Sequence, residues 1–285
     1  MKILSIDTSG QAASVAVISD NQVLAEFTLN GIAHSVTLMP LLNELFKAVD
    51  MEASDMDYIA AACGPGSFTG LRIGAAAAKA LAHAAGKRLV PVSTLLGLAY
   101  NVLVSDKIIV PIMDAKRDQV YSAAFVITPL TKPCAKIVAE FCSTARKYRR
   151  CALAVREEGL TQPVEQNYRQ DCARFSEWSN RLGGKLETLL DTTADDIGII
   201  LDAVKGYERP AVFIGDGTLV YEKQILDSGF EIASPGCNFQ RASSVGLAAV
   251  PLIYQGLDVS YNEFEIIYAR KPQAEREADL KLQNG

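Results

Sequence analysis

Histidine is nearly missing from this chain: His34 and His83 are the only two in 285 residues. They lie too far apart for an HxxxH pair or an HExxH helix, so the usual donors of a catalytic zinc or iron are lacking. A magnesium site made of carboxylates alone stays open. The six cysteines, at positions 63, 134, 142, 151, 172 and 237, form no CxxC pair. That pattern fits reduced thiols better than a disulfide framework or a zinc site. No apolar run approaches the roughly 20 residues of a membrane span. Met1-Lys2-Ile3-Leu4-Ser5-Ile6-Asp7 breaks its apolar run at once with an aspartate, so the expectation is a cytoplasmic protein with no leader and no membrane partner. The net charge of −5 gives no global sign of nucleic-acid binding. Three catalytic signatures are also missing. There is no GxxxxGK[ST], no GxGxxG and no GxSxG elbow, since Gly66-Ser67-Phe68-Thr69-Gly70 carries its serine one place too early.

What the chain does have is apolar residues, 49% of the total, enough for two domains with real cores. Lys2 to Asp7, Ala13 to Ile18 and Val23 to Leu29 read as an antiparallel strand meander with a turn at Ser19-Asp20-Asn21. Leu38, Leu41, Leu42, Leu45, Phe46 and Val49 then recur at helical spacing, with Pro40 expected near the first turn or at a kink. Tyr58 to Cys63 and Arg88 to Val92 are strands flanking a second helix, and Thr94 to Val104 reads as a third. The pattern restarts with strands at Lys107 to Met113, Gln119 to Ile127 and Val212 to Gly215, and a helix at Ser243 to Gln255. Three strands, helix, strand, helix, strand, helix, written twice, predicts an α/β fold of the duplicated actin, Hsp70 and sugar-kinase kind, two lobes of mixed sheet flanked by helices. The lobes are expected at 1–105 and 106–285. The second includes an enlarged basic insertion, about 131–185, with eleven Lys/Arg against six Asp/Glu, four of the cysteines and the only tryptophan, Trp178.

The stretch CGPGSFTGLRIGAAAAKALAHAAG, residues 63 to 86, admits three readings. Gly64-Pro65-Gly66 makes a turn, Ser67 or Thr69 can cap the helix that follows, and free N–H groups there would suit an anion. Wound as a helix, Gly70, Gly74, Ala77, Leu81 and Ala84 form one nearly bare stripe, with Arg72, Lys79 and His83 opposite. A bare stripe lets a second helix come close, whether from another chain or from the same domain. Each glycine costs roughly 0.5–1 kcal/mol against alanine, which favours docking between chains as the reason for having two.

The segments ILSIDTS, HSVTLMPLLNELF, GPGSFTGLRIG, MDAKRDQVY and IIYARKPQAE, in that order, resemble the TsaB (YeaZ) family. The resemblance covers 1 to about 128 closely and about 210 to 275 more loosely, and departs over 131–185. It implies a non-catalytic subunit for making N6-threonylcarbamoyladenosine in tRNA. The partners it implies are a TsaD-like catalytic homologue that binds ATP and metal, a TsaE-like ATPase, tRNA through the assembled complex, and a second copy of the chain when TsaD is absent. It places the partner contact on the first two helices, here those holding Leu38, Leu42, Leu45 and Phe46, and Gly70, Gly74, Ala77 and Leu81. It also implies a tail lying close to the N-terminal domain.

The residue chemistry leaves rivals. An ATPase or small-molecule kinase of the same fold would use two phosphate hairpins. Asp7-Thr8-Ser9-Gly10-Gln11 suits the first, whereas Asp114-Ala115-Lys116-Arg117-Asp118 has no glycine and is crowded. No catalytic residue, resident cofactor or metal is expected, but a weak, vestigial nucleotide site over Asp7, Ser9, Asp114, Gly215 and Gly217 stays open. A metallopeptidase is disfavoured by the two distant histidines. His34 reads as a cap or contact residue. Arg146, Lys147, Arg149 and Arg150 are candidate tRNA contacts, against the plainer reading of a solvated basic surface.

Overall fold

Ile3, Leu4 and Ile6 put branched apolar side chains on both faces of the first strand, which suits the middle of a sheet covered on two sides. The computed structural model describes residues 1–31, 34–103, 106–116, 118–128 and 185–269. Strand β1 (Lys2–Asp7) pairs antiparallel with β2 (Ala12–Ser19), which pairs with β3 (Gln22–Asn30). On its other side β1 pairs parallel with β4 (Tyr58–Gly64), and β4 with β5 (Arg88–Ser93). Helices α1 (His34–Val49) and α2 (Phe68–Ala85) cover one face of this sheet. Pro40 stands inside α1 and is exposed, so the hydrogen bond it removes lies on the solvent side.

The second half repeats the plan. Strands β6 (Ile108–Asp114), β7 (Gln119–Thr128), β8 (Lys185–Asp196), β9 (Ala211–Ile214) and β10 (Glu231–Ile232) line up as β10-β9-β6-β7-β8, against β3-β2-β1-β4-β5 in the first sheet. Read from the meander edge, the two orders are the same: a three-strand meander whose first strand pairs with a parallel strand, which pairs with a second parallel strand. Helices α4 (Ile197–Lys205) and α5 (Gly217–Asp227) cover one face around Phe213 and Ile225. This is the duplicated actin, Hsp70 and sugar-kinase layout expected from the element order.

One helix is shorter than expected. The third helix, α3, runs only Thr94–Ala99. It packs Leu95, Leu98 and Ala99 on Ile109, Phe125 and Ile214 of the second sheet. The last helix, α6 (Ala242–Tyr254), crosses the other way, setting Val245, Ala248, Ala249 and Ile253 on Ile3, Ile18, Ala60 and Val92 of the first sheet. Phe264 is buried beside Leu45, Ala78 and Leu89 in the first lobe. Each sheet thus takes a helix from the other half of the chain, because each needs a second apolar face covered.

Glycines let these crossings close up. A Cβ on Gly246 would stand 1.9 Å from Ile18 Cδ1, and one on Gly97 3.2 Å from Val245 Cγ2. The chain then straps the first lobe from outside. Val259 bridges antiparallel to Leu89, and the Ile267 N–H donates to the Cys63 carbonyl at 2.7 Å. Tyr261 rings against His83, and Tyr268 against Phe68. That is the tail placement the resemblance implied, as far as 269. The tail beyond it, the 131–184 part of the basic insertion, and Arg117 lie outside the described residues.

Candidate functional site

The turn at 64–66 sits between the end of β4 and the start of α2, and its glycines are spent on packing. Gly64 and Gly66 have φ of +116° and +155°. A Cβ on Gly64 would meet the Ile267 carbonyl oxygen at 2.3 Å, and one on Gly66 the Ser9 carbonyl oxygen at 2.4 Å. The Ser67 N–H donates to that same Ser9 oxygen at 2.7 Å, while the Ser67 hydroxyl caps α2 by accepting from Gly70 N at 3.2 Å. Packing alone accounts for both glycines of this turn.

The bare stripe is answered in the same way, and here the expectation is corrected. Gly70 and Gly74 are buried, not presented to another chain. Their absent side chains make room for Thr8: a Cβ on Gly70 would lie 2.0 Å from the Thr8 carbonyl oxygen, and one on Gly74 2.3 Å from Thr8 Oγ1. Ala77 and Leu81 are partly buried against the same core, as is Phe46. Leu38, Leu42 and Leu45 are fully inside it. These residues hold α1 and α2 on their own sheet. The outward side of the pair carries different residues. Val36 and Met39 are 67% and 57% exposed, with Pro40 and Asn43 continuing the α1 stripe and Ala76 and Ala80 exposed on α2. At the N-terminal end of α2, Phe68, Arg72 and Tyr268 cluster, with the Arg72 guanidinium 3.7 Å over the Phe68 ring and its Nε donating to the Tyr268 hydroxyl at 3.1 Å.

Between the lobes lies a cleft of about 590 Å³, walled by Ser9, Gly10 and Ser67 from the first lobe and by Asp114, Lys116 and Asp216 from the second, with Phe239 and Leu219 among its apolar lining. The two hairpins named from the sequence do face each other across it. Their acids are turned to local partners. Asp7 is 2% exposed and does not line the cleft. Its Oδ1 accepts from the Ser9 N–H at 2.8 Å and the Ser9 hydroxyl at 2.6 Å. Burial pushes its carboxyl up to about 6, with the Ser9 hydrogen bonds opposing the rise.

Asp114 accepts from the Lys116 N–H at 2.8 Å and from Lys116 Nζ at 2.5 Å. That hydrogen bond raises the lysine, which stands in a left-handed conformation, φ +62°. The Asp114 N–H donates to Asp216 Oδ1 at 3.2 Å, and burial raises the Asp216 carboxyl. Gly215 and Gly217 serve packing: a Cβ on either would lie within 3.1 Å of the Ile112 backbone. The residues named from the sequence for a nucleotide site are thus brought to one region, with Ser9 and Asp114 on the cleft, Asp7 beneath it, and Gly215 and Gly217 behind it. Asp216 and Lys116 also line the cleft without having been singled out as site residues; their place beside Gly215 and Asp114 in the chain was the available signal.

His34 opens α1, and its Nε2 donates to the Gly10 carbonyl at 3.0 Å, tying the helix to the first hairpin. Among the described residues no group of three His, Cys, Asp or Glu could hold a metal ion, and no helix is long and apolar enough to cross a membrane. Arg146, Lys147, Arg149 and Arg150 lie outside the described residues.

Comparison with known proteins adds to this. A family model described as TsaD, tRNA N6-adenosine threonylcarbamoyltransferase, matches residues 22–275. The tRNA threonylcarbamoyladenosine biosynthesis protein TsaB of Bacillus subtilis (strain 168) is 41% identical over 126 residues, 44% of this chain and 55% of that protein. TsaB of Escherichia coli (strain K12) is 34% identical over 127 residues, again 44% of this chain and 55% of that protein. The chain thus spans about half the length of the curated relatives it matches. The solved structure of YeaZ from Pseudomonas aeruginosa superposes with a TM-score of 0.61 at 18% identity, over 94% of this chain and 99% of that one, a likeness of fold.

Proposed function

We propose a role that proceeds from one fact: the chain belongs to the tRNA N6-adenosine threonylcarbamoyltransferase (TsaD) family. Its curated relatives include TsaB proteins, and the chain acts in threonylcarbamoyladenosine biosynthesis as TsaB does by name. It is the non-catalytic, activating subunit, paired with a TsaD-like catalytic homologue and served by a TsaE-like ATPase, in the cytoplasm.

The observation that carries this reading is the contrast between the cleft and the helix pair. In the cleft, the acid that would receive a cation-bound phosphate is held by the protein's own lysine, with Lys116 Nζ 2.5 Å from Asp114 Oδ2. On the helix pair, Val36 and Met39 stand in solvent beside an alanine-rich face. An exposed apolar stripe on a packed helix pair suits a partner helix, because the area it hides from water drives association. The contact surface is therefore the outward side of α1 and α2, with Val36, Met39, Pro40 and Asn43 in place of the buried Leu38, Leu42 and Leu45. In the absence of the catalytic subunit the same side pairs with a second copy. The basic run Arg146, Lys147, Arg149 and Arg150 guides tRNA within the complex by charge.

The test of the pairing is direct. Met39→Asp and Val36→Asp are expected to abolish co-purification with the TsaD-like subunit while the variants stay folded. Charge reversal at the four basic residues is expected to flatten the salt dependence of tRNA binding by the complex; an unchanged slope removes the tRNA role.

A second reading, an independent ATPase or kinase, is favoured by the cleft itself, which has ample volume and a hairpin from each lobe on its walls. Nucleotide titration of the isolated chain with and without magnesium separates the two. Submicromolar binding with turnover supports the second reading.

A further inference from the structure

The chain crosses between the lobes twice, once after α3 and once between β10 and α6. One run of side-chain hydrogen bonds stitches both crossings together. Asn101, just past α3, donates from Nδ2 to the carbonyls of Cys237 and Phe239 at 2.7 and 2.8 Å. Its Oδ1 accepts from the Ser244 hydroxyl at 2.5 Å. Between those two carbonyls, Asn238 reaches the other way, and its Oδ1 accepts from the Gly215 N–H at 3.2 Å, in the second lobe behind the cleft wall.

The start of α6 is held by the first lobe as well. Arg241, the residue before it, gives no side-chain cap. The orphan N–H groups of Ala242 and Ser243 donate instead to Ser14 Oγ at 3.0 Å and Glu26 Oε1 at 2.9 Å, side chains more than 200 positions away. The carboxylate stands at the positive end of the helix, where it is favoured.

We propose that Glu26, Ser14, Asn101, Ser244 and Asn238 form a clasp that fixes the angle between the lobes, so that the cleft does not open and close as a hinge. A hinge works through a few residues at chain crossings that absorb φ/ψ change. Here both crossings are tied to each other, and one of them to both lobes. Opening would pull Asn238, held beside the first lobe, away from the buried Gly215 N–H, and an unpaired buried donor is expensive. The close approaches of Gly246 to Ile18 and of Gly97 to Val245 leave no room for the helices to slide.

The test uses the full chain, with nitroxide labels carried by non-natural amino acids at the exposed Ser54 of the first lobe and Lys223 of the second. Labelled chain is diluted into excess unlabelled chain, and the distance distribution is read by pulsed electron spin resonance. The wild type is expected to show one narrow distribution that millimolar magnesium-ATP leaves in place. Asn101→Leu and Glu26→Leu, with circular dichroism unchanged, are expected to broaden it to roughly twice the width. Glu26→Gln keeps an acceptor oxygen and stays narrow. A wild-type distribution that is broad or shifts with nucleotide overturns the clasp, as does either Leu variant that remains as narrow as the wild type. Should a Leu variant fail to fold, the wild-type nucleotide arm and Asn101→Ala decide the matter by the same criteria.

Discussion

Thr8 and Gly70 are locked together: the Thr8 hydroxyl donates to the Gly70 carbonyl at 2.7 Å, and the Thr8 carbonyl oxygen sits where a Cβ on Gly70 would have to be. One threonine at the end of β1 thus explains both glycines in α2. The helix rides on the first hairpin at a distance that any side chain would prevent. This relationship gives both glycines a role inside the chain, with a direct consequence for stability.

Gly70→Ala places its Cβ against backbone, which has no room to move. Gly74→Ala meets only the tip of the Thr8 side chain. Gly74→Ala is expected to destabilise by about 1–3 kcal/mol, more than its gain in helix propensity of roughly 0.5–1 kcal/mol. Gly70→Ala should cost more still. Urea unfolding checks both. Because Thr8→Ala clears the space that Gly74→Ala fills, the double variant should be more stable than the sum of the singles predicts, by at least about 0.5 kcal/mol. Strict additivity would contradict the packing account.

The two sides of α1 should separate cleanly in mutagenesis. Leu42→Ala empties a core position that is 2% exposed and is expected to cost about 2–5 kcal/mol. Met39→Asp changes a residue in solvent and should leave stability within about 0.5 kcal/mol. It should nonetheless weaken association with the catalytic subunit at least ~10-fold, a loss of about 1.4 kcal/mol. Denaturation and titration calorimetry on the two variants would expose any reversal of these roles.

Asp7 gives a pH dependence with a defined sign. Its folded carboxyl is raised to about 6 from 3.8, so between those values the folded chain binds the extra proton. Stability from this group is greatest at low pH, falls as pH rises from about 4 to about 6, and is flat above. The full effect is on the order of 3 kcal/mol. Asp7→Asn keeps an oxygen for the two Ser9 hydrogen bonds and carries no charge. It should be more stable than the wild type at pH 7 and lose the slope between pH 4 and 6. Thermal melts across that range provide the check.

Lys116 occupies a left-handed backbone position, which glycine adopts without strain. Its ion pair to Asp114 is made by a side chain that is 82% exposed, so losing the pair should cost under about 1 kcal/mol. Lys116→Gly should therefore leave the melting temperature unchanged or raised, whereas Lys116→Val, β-branched at positive φ, should lower it by several degrees, corresponding to about 1–2 kcal/mol.

Much of the fold was legible because burial on two faces writes itself as unbroken apolar runs: KILSI, YIAAAC and KIIVPIM each became a central strand. The duplicated order followed from those runs. The edges of the second lobe were harder. Strand β8, KLETLLDTTADD, has no clean alternation, and α5 contains a residue, Tyr221, with non-helical dihedrals. The face of α2 was misread for a physical reason. In a helix this rich in alanine, hydrophobicity hardly distinguishes one side from another, and a bare stripe fits an own-chain strand end as well as a foreign helix. Nothing local marks Glu26 as the cap of a helix more than 200 residues later, since that pairing exists only once the sheet and α6 have met.

The central claim is that this chain supports threonylcarbamoyl transfer without performing it. The measurement that tests it most directly is formation of threonylcarbamoyladenosine on tRNA, supplied with threonylcarbamoyl-AMP and ATP, by the TsaD-like and TsaE-like proteins with and without this chain, beside the chain alone. The account predicts product from the three proteins together, little when this chain is omitted or replaced by Met39→Asp, and none from the chain by itself. Product from the isolated chain, or equal yields whether or not it is present, would contradict the account.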